Sequence, residues 1–454
     1  MDNYLIRKYN IPGPRYTSYP TVPYWDENSF SVKQWKDTVI QSFNESNQRE
    51  GISIYIHLPF CESLCTFCAC HKRITKQHNV ELSYIEALLK EWKIYLDLLG
   101  KSPVIKELHL GGGTPTFFSP DHLKYLLEKI FSSSQIDPNP EFSFEGHPNN
   151  TTIEHLKALY GLGFRRVSFG VQDYDAKVQR TINRIQPYEK VKYVTDTAKE
   201  LGYKSVSHDL IFGLPFQTWN SMAQTIEKTR SLKPDRIAFY SYAHVPWIKG
   251  VGQRGFDEND LPSPEEKREL YEKGKKLLEE SGYVEIGMDH FSLPQDRLYT
   301  SMKQKTIHRN FMGYSSSSTQ LMIGLGMSAI SDSWYAFAQN DKSVEEYIHL
   351  AEQNTLPIFR GHILNNEDLI VRRHILNVMC LLETSWEDEK MYLPEIPEIL
   401  SRLDEMKNDG LIEIINKKLS VTETGRIFVR NISMAWDLRM IRHQPETRIF
   451  SMTV

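Results

Sequence analysis

The sequence predicts an α/β protein: a full or partial barrel of parallel strands, preceded by an arm and followed by a mainly helical C-terminal domain. Three observations carry that prediction. Short apolar strands alternate with amphipathic helices from residue 52 to about residue 288, and repeated strand-then-helix units imply parallel strands. Polar residues (Tyr55, Glu145, Gln172 and Asp209) stand at or near the C-terminal ends of those strands among apolar neighbours. The C-terminal mouth is where α/β barrels hold ligands. No dinucleotide fingerprint follows the first strand, which weighs against an open doubly wound sheet. The chain divides into an arm over 1–35, a barrel with long loops over 36–345 and a C-terminal domain over 346–454.

The arm contains the run Tyr9-Asn10-Ile11-Pro12-Gly13-Pro14-Arg15-Tyr16-Thr17-Ser18-Tyr19-Pro20-Thr21. Its three prolines and glycine forbid a regular helix. By composition it fits a surface connector better than a flap over an anionic ligand. In the first strand Ile52, Ile54, Ile56 and Leu58 alternate with Ser53, Tyr55 and His57. Leu82, Ile85, Leu88, Leu89, Trp92, Leu96 and Leu99 then repeat at helical spacing, with Gly100 as the stop. A strand over Ile105–Leu110 runs into Gly111-Gly112-Gly113-Thr114. Further strands are predicted at Phe142–Glu145, Arg166–Gln172, Val206–Ile211, Arg236–Ala243 and Val284–Met288. Helices are predicted at His155–Leu162, Tyr188–Leu201 and Glu265–Ser281.

Residues 287–340, dense in Gly, His, Asn and Ser, read as loops. His290 and His308 stand too isolated for metal-ligand spacing, and Arg309 suits a carboxylate partner. Beyond about 345, Leu369, Ile370, Ile375, Leu376, Met379 and Leu381 form a helical face with Cys380 as a small buried hydrophobe. A helix at Pro397–Met406, strands at Ile412–Ile415 and Leu419–Thr422, and a helical Gly425–Asp437 resemble a winged-helix domain. Acidic and basic residues interleave there, so DNA binding does not follow.

The chemistry concentrates in Phe60-Cys61-Glu62-Ser63-Leu64-Cys65-Thr66-Phe67-Cys68-Ala69-Cys70, which holds four of the five cysteines. Three follow the spacing C-x3-C-x2-C. Three thiolates on one tight loop suit three corners of a cubane iron–sulfur cluster, leaving the fourth iron open for a small ligand. Structural zinc sites want four ligands, usually as two separated pairs, and no distant pair exists here. Spacing alone leaves Cys70 open as a fourth ligand. The side-chain-free Gly111–Gly113 lets the backbone approach a ligand closely. Glu145, Gln172 and Asp209 offer acceptors for ribose or ammonium groups, and Arg184 a donor for a carboxylate.

With 454 residues, 25% charged residues and a net charge of -4, the chain has no bulk attraction for nucleic acid. Met1-Asp2-Asn3-Tyr4 is unlike a secretory signal. The least polar long run, Leu321–Ile330, is too short for a bilayer. A cytoplasmic monomer with no membrane contact is expected.

The cysteine loop, with Phe67 just before its last ligand, resembles the radical S-adenosylmethionine superfamily. The likeness goes further. Gly13–Thr21, Tyr55–Cys70, Gly111–Thr116, Gly170–Asp173, Asp209–Pro215, Tyr242–His244, Gly287–Phe291, His308–Phe311, Ala338–Asn340, Gly425-Arg426 and Arg430–Ile432 resemble the oxygen-independent coproporphyrinogen III oxidases over nearly the whole chain. That resemblance implies a partial (β/α)6-type radical SAM barrel. It implies oxidative decarboxylation of two propionates of coproporphyrinogen III to vinyl groups, giving protoporphyrinogen IX, in anaerobic haem biosynthesis. A haem chaperone or another porphyrin-directed radical SAM enzyme is the alternative.

The implied cofactors are a [4Fe-4S] cluster on Cys61, Cys65 and Cys68, and two S-adenosylmethionines. The first maps onto Tyr55, Gly112, Glu145 and Ile330. The second maps onto Phe67, Gly113, Thr114, Gln172, Arg184, Asp209 and Ala243. Cys70 falls outside the implied ligand set, and the Arg15–Tyr19 arm becomes a candidate substrate lid. An electron donor such as flavodoxin or ferredoxin and an unidentified acceptor are implied as partners. The chain departs from the family's pattern at Gly146-His147-Pro148-Asn149 and at Ser315–Ser318, which puts local loop contacts and substrate fit in question.

Overall fold

After two helices, α1 (Asn3–Tyr9) and α2 (Val32–Ser46), the chain enters the first barrel strand, β1 (Ile52–Leu58). The computed structural model describes residues 3–246, 252–444 and 449–453. The short strands β2 (Phe60–Cys61) and β3 (Arg73–Ile74) bracket the cysteine loop. There follow α3 (Val80–Leu99), β4 (Val104–Gly112), α4 (Pro120–Ser132), β5 (Gln135–Gly146), α5 (Ile153–Gly161), β6 (Arg166–Gln172), α6 (Ala176–Thr181), α7 (Tyr188–Leu201), β7 (Ser205–Phe212), α8 (Trp219–Ser231), β8 (Arg236–Ser241) and α9 (Pro264–Glu280). Strands β1, β4, β5, β6, β7 and β8 are neighbours in that order and all parallel. These six strand–helix units are the expected partial barrel.

The periodicity has a direct physical outcome. Ile52, Ile54, Ile56 and Leu58 are fully buried against the surrounding helices. On α3, Ile85, Leu88, Trp92 and Leu99 reach the same core, while Leu82 is exposed; Gly100 ends the helix in the left-handed conformation at φ 63°. The residues between the apolar ones point into the barrel.

The region after α9 differs from expectation. β9 (Val284–Gly287) is not a further parallel strand. It pairs antiparallel with β10 (His290–Ser292), which pairs antiparallel with β8, so the two strands form an antiparallel edge. The stretch read as loops carries α10 (Arg297–Lys303), a hairpin of β11 (His308–Asn310) and β12 (Gly313–Ser315), and then β13 (Leu321–Leu325), β14 (Ile330–Asp332) and β15 (Ala336–Asn340). β13 lies parallel on the free side of β1, pairing Tyr55 with Gly324. From there β14, β15 and β16 (Ile358–Ile363) extend the sheet antiparallel, after α11 (Val344–Glu352). The sheet therefore runs past residue 345, as far as β16.

The C-terminal unit follows as α12 (Asn366–Leu381), β17 (Glu383–Ser385), α13 (Ile396–Asn408), β18 (Ile412–Ile415), β19 (Lys418–Val421), α14 (Val429–Met434) and α15 (Leu438–Arg442). β17, β19 and β18 form a three-stranded antiparallel sheet in that order. Cys380 is only half-buried, packed against the cluster of Ile286, Leu298, Ile307 and Tyr314. Tyr16 and Tyr19 of the arm are buried in the core of this unit, and the Tyr16 hydroxyl donates to Asp437 at 3.0 Å. The arm thus is no loose connector.

The arm and the C-terminal tail are stitched to each other. Gly13 N–H donates to the Ser451 carbonyl at 3.0 Å and Thr453 N–H to that of Ile11 at 2.8 Å. The buried Arg430 donates to the carbonyls of Gly13, of Pro14 at 2.9 Å and of Met452 at 2.8 Å. Burial without a carboxylate partner pushes this guanidinium down to about 9. Arg430→Ala leaves those carbonyls without donors and should cost on the order of 3 kcal/mol. The expected outcome is faster tryptic cleavage near Arg15 and an earlier denaturant transition.

Candidate functional site

The cysteine loop is a closed ring at the end of β1. Arg73 N–H donates to the Pro59 carbonyl and Thr75 N–H to that of Cys61, each at 2.9 Å. The far side is tied to the end of α6. Thr66 N–H donates to the Ile182 carbonyl at 2.9 Å, its hydroxyl to that of Thr181 at 3.0 Å, and the Asn183 amide to that of Leu64 at 2.7 Å. Lys72 donates to the carbonyls of Cys68 and Cys70 at 3.1 and 3.2 Å.

Cys61, Cys65 and Cys68 line one cavity of about 170 Å³ together with Gly113, Thr114, Phe67, His147, Asn149 and Arg184. Among the described residues no three His, Cys, Asp or Glu side chains close on a single metal ion. Three thiols spread around a cavity instead match what a cluster requires. Thr114 and Cys61 share a hydrogen bond at 3.3 Å, and Arg184 Nη1 lies 3.7 Å from Cys65 Sγ. The neighbouring Cys70 thiol donates to Cys68 and, with Lys72 and Arg184, lowers it to about 6. Burial raises Cys61 to about 11.

The end of β4 passes directly beneath this loop. Leu58 pairs with Gly112, and Gly113 N–H donates to the Leu58 carbonyl at 2.9 Å. A Cβ on Gly113 would stand 2.4 Å from the Pro59 oxygen and 3.0 Å from Cys61 Sγ; Gly112 holds φ at 119°. A Cβ on Gly111 would meet the Tyr55 ring at 3.0 Å and Glu145 Oε1 at 3.2 Å. The three glycines therefore bring Tyr55, Glu145 and the cysteine loop to one place.

Tyr55 is fixed on both faces. Its ring stacks on His109 at 6.0 Å, and its hydroxyl donates to His57 Nδ1 at 3.1 Å. His57 Nε2–H donates to the His71 carbonyl at 2.9 Å, and burial keeps the imidazole neutral, down to about 4. His109 Nε2 donates to Glu145 Oε1 at 3.3 Å. Ile330, on β14, lies beside the Gly324 that pairs with Tyr55: a Cβ on Gly324 would touch the Ile330 oxygen at 2.5 Å.

A second group gathers on the β6–β8 side. Arg184 Nη2 donates to the Gly170 carbonyl at 2.6 Å, its Nε has no acceptor, and a Cβ on Gly170 would strike both Arg184 and Gln172. Gln172 is buried at φ 68°. Asp209 accepts from Ser168 Oγ at 2.9 Å, and burial raises its carboxyl to about 7. Asp209 and Glu145 line a further cavity with His109, Ser168, Tyr240 and His290, distinct from the cysteine cavity that holds Gly113, Thr114, Phe67 and Arg184. Phe67 packs against the cluster of Val178, Ile182, Ile211, Leu214 and Tyr242. Gln253 bridges the two regions, its amide donating to the carbonyls of Phe67 at 3.3 Å and Ala243 at 2.8 Å.

The two departures from the family's pattern lie at opposite ends of the barrel. His147 and Asn149 face the cysteine cavity, where burial and Arg184 push His147 down to about 2. The serine run instead joins the barrel floor. Ser315 Oγ donates to Glu107 at 2.8 Å, which also accepts from Ser53 at 2.9 Å. His57, His109, Ser168, Tyr240 and Gln253 were not singled out as site residues from sequence. The period-two alternation that marked Tyr55 also marked His57, but its partner His71 is visible only in the fold.

The parallel barrel with three thiols around a cavity at its mouth defines a radical SAM enzyme. In agreement, the Radical SAM superfamily model matches residues 55–229. Over 441 residues, 95% of each chain, the sequence is 36% identical to the oxygen-independent coproporphyrinogen III oxidase of Pseudomonas aeruginosa. It is 34% identical to that of Escherichia coli over 99% of this chain and 98% of the relative. The solved E. coli coproporphyrinogen III oxidase superposes with a TM-score of 0.89, covering 96% of this chain and 98% of that one. The chain belongs to the oxygen-independent coproporphyrinogen III oxidase family, and its cofactors are accordingly a [4Fe-4S] cluster and S-adenosylmethionine.

Gly113→Ala places a methyl group against the Pro59 oxygen and Cys61. Iron and sulfide content after anaerobic reconstitution should fall severalfold, with the far-ultraviolet circular dichroism unchanged.

Proposed function

We propose the following division of labour for the oxidative decarboxylation of coproporphyrinogen III to protoporphyrinogen IX. Each of two propionates gives up one hydrogen atom, one carbon dioxide and one electron, leaving a vinyl group. The cofactors supply, when bound, an electron and a 5′-deoxyadenosyl radical that removes the hydrogen next to the ring. The observation that carries this reading is the ring of three thiols closed over Gly111–Gly113 at the mouth of a polar barrel.

Cys61, Cys65 and Cys68 would hold the cluster, and Cys70, outside the ligand set, would tune Cys68. Tyr55, Gly112, Glu145 and Ile330 hold the first S-adenosylmethionine. Glu145 accepts from its ammonium or ribose, and the glycines let the backbone approach it. Gln172, Arg184, Asp209, Phe67, Gly113, Thr114 and Ala243 form the second site. The Arg184 Nε, buried with no acceptor, suits a carboxylate. The arm closes the mouth: Arg15 donates to Asp289 at 3.2 Å and to the Ser241 carbonyl at 3.4 Å. It acts as a fixed cover of the substrate chamber, excluding water from a reactive radical.

The enzyme works as a cytoplasmic monomer with a small redox protein such as flavodoxin or ferredoxin as donor and a separate electron acceptor. No helix among the described residues is long and apolar enough to cross a membrane.

An anaerobic assay with reductant, S-adenosylmethionine, an electron acceptor and coproporphyrinogen III tests the reading. The expected products are 5′-deoxyadenosine and a doubly decarboxylated tetrapyrrole; their joint absence with an intact cluster would falsify it. Cys65→Ser should lose most of its iron. The raised Asp209 carboxyl gives a signed pH dependence. The carboxylate that accepts from a ribose or ammonium forms only as pH rises through about 7. Affinity for S-adenosylmethionine at this site should therefore strengthen between about pH 6 and 8 and level off above. Asp209→Asn should flatten that profile in equilibrium binding.

A further inference from the structure

Arg309 is a buried cation with no counter-ion among the described residues. It is 5% exposed, and among the described residues no ion pair involves it. Its Nη2 donates to the Arg15 carbonyl at 3.3 Å, while Nε and Nη1 have no acceptor. The other buried arginines are compensated: Arg236 by Asp296 at 2.7 Å, Arg372 by Asp332 at 2.5 Å, and Arg430 by backbone carbonyls. An unpaired buried guanidinium opposes folding unless something outside the chain supplies the charge.

Its position says what that is. Arg309 sits on the β11–β12 hairpin with its guanidinium 4.6 Å from the centre of the Tyr314 ring. That ring meets His290 edge-on at 5.4 Å, and both line the cavity that holds Glu145 and Asp209. On the other side stands Arg15 of the arm, whose own charge is taken by Asp289. Arg309 therefore lies against Tyr314 of the cavity wall on one side and the arm on the other, with Nε and Nη1 unused among the described residues.

We propose that Arg309 anchors a carboxylate of the tetrapyrrole substrate. The inference rests on the substrate assignment above. A guanidinium–carboxylate pair stabilises the carboxylate, which opposes loss of carbon dioxide from that same group. Arg309 thus holds a propionate that does not react in that turnover, and positions the one that does. Such an interaction is equal in ground and transition states, so it acts on KM.

The test compares Arg309→Gln and Arg309→Lys with the wild-type enzyme in three measurements. In the anaerobic assay, Arg309→Gln should raise KM for coproporphyrinogen III at least tenfold with kcat within threefold, and Arg309→Lys should recover part of the loss. In fluorescence titration, wild type should bind coproporphyrin III at least tenfold more tightly than its tetramethyl ester, and Arg309→Gln should lose that preference. Without substrate, Arg309→Gln should unfold at the same temperature as wild type or higher, since it removes an uncompensated charge. A KM within twofold of wild type, a retained preference for the acid, or a destabilised variant overturns the proposal. So does a weakened affinity for S-adenosylmethionine with unchanged porphyrin binding, which would assign Arg309 to the cofactor's carboxylate. Failure of the wild type itself to turn over or bind the porphyrin would instead overturn the substrate assignment.

Discussion

The pairing of β1 with β4 is the constraint on which the site depends. Its register sets Leu58 opposite Gly112 and so lays three glycines under the cysteine ring. No other residue fits at Gly113, because a Cβ there would overlap the Pro59 carbonyl. The same pairing stacks Tyr55 on His109 and brings Glu145, one strand further, within reach of both. The loop itself is short and polar. Its shape comes from the β2–β3 pairing that closes its base and from hydrogen bonds to the end of α6 on the far side, not from its own propensity.

The barrel interior is graded along its axis. At the floor, charges are consumed in pairs: Glu141 with Arg166 at 3.1 Å and with Arg297, and Arg236 with Asp296, which also accepts from Ser205 at 2.7 Å. Those bonds satisfy a polar interior that would otherwise cost several kcal/mol per buried charge. Toward the mouth the pairing thins out. Asp209 has one hydrogen bond from Ser168, Arg184 keeps an unused Nε, and Arg309 keeps two unused donors. A closed network at one end and an open one at the other separates the part that holds the barrel from the part that receives ligands.

The mouth is roofed by segments remote in sequence. Arm and tail pair with each other around Arg430, the arm's tyrosines enter the C-terminal core, and Arg15 turns toward the barrel mouth. The C-terminal unit thereby supports the arm and, through it, the backbone carbonyl that orients Arg309. That arrangement gives the C-terminal unit a structural task consistent with its mixed surface charge.

By itself the sequence determined what is local. The helix at Tyr188–Leu201 and the strand at Arg166–Gln172 stand where periodicity placed them, because one face of each is bound to bury. The cysteine spacing announced a cluster loop, since ligands within eight residues must converge however the rest folds. Resemblance then supplied the family. Tertiary structure decided whatever depends on partners far along the chain. Val284–Gly287 has the alternation of a barrel strand, but pairing with β10 made it an antiparallel edge. β13 joined β1 across more than two hundred and fifty residues, and Ser315 reached Glu107 at the barrel floor. His57 and Gln253 acquired roles only through the carbonyls they reach, and Arg309 only through the counter-ion it lacks among the described residues. A side chain's type is written in the sequence, but whether its hydrogen bonds are filled is a property of the folded neighbourhood alone.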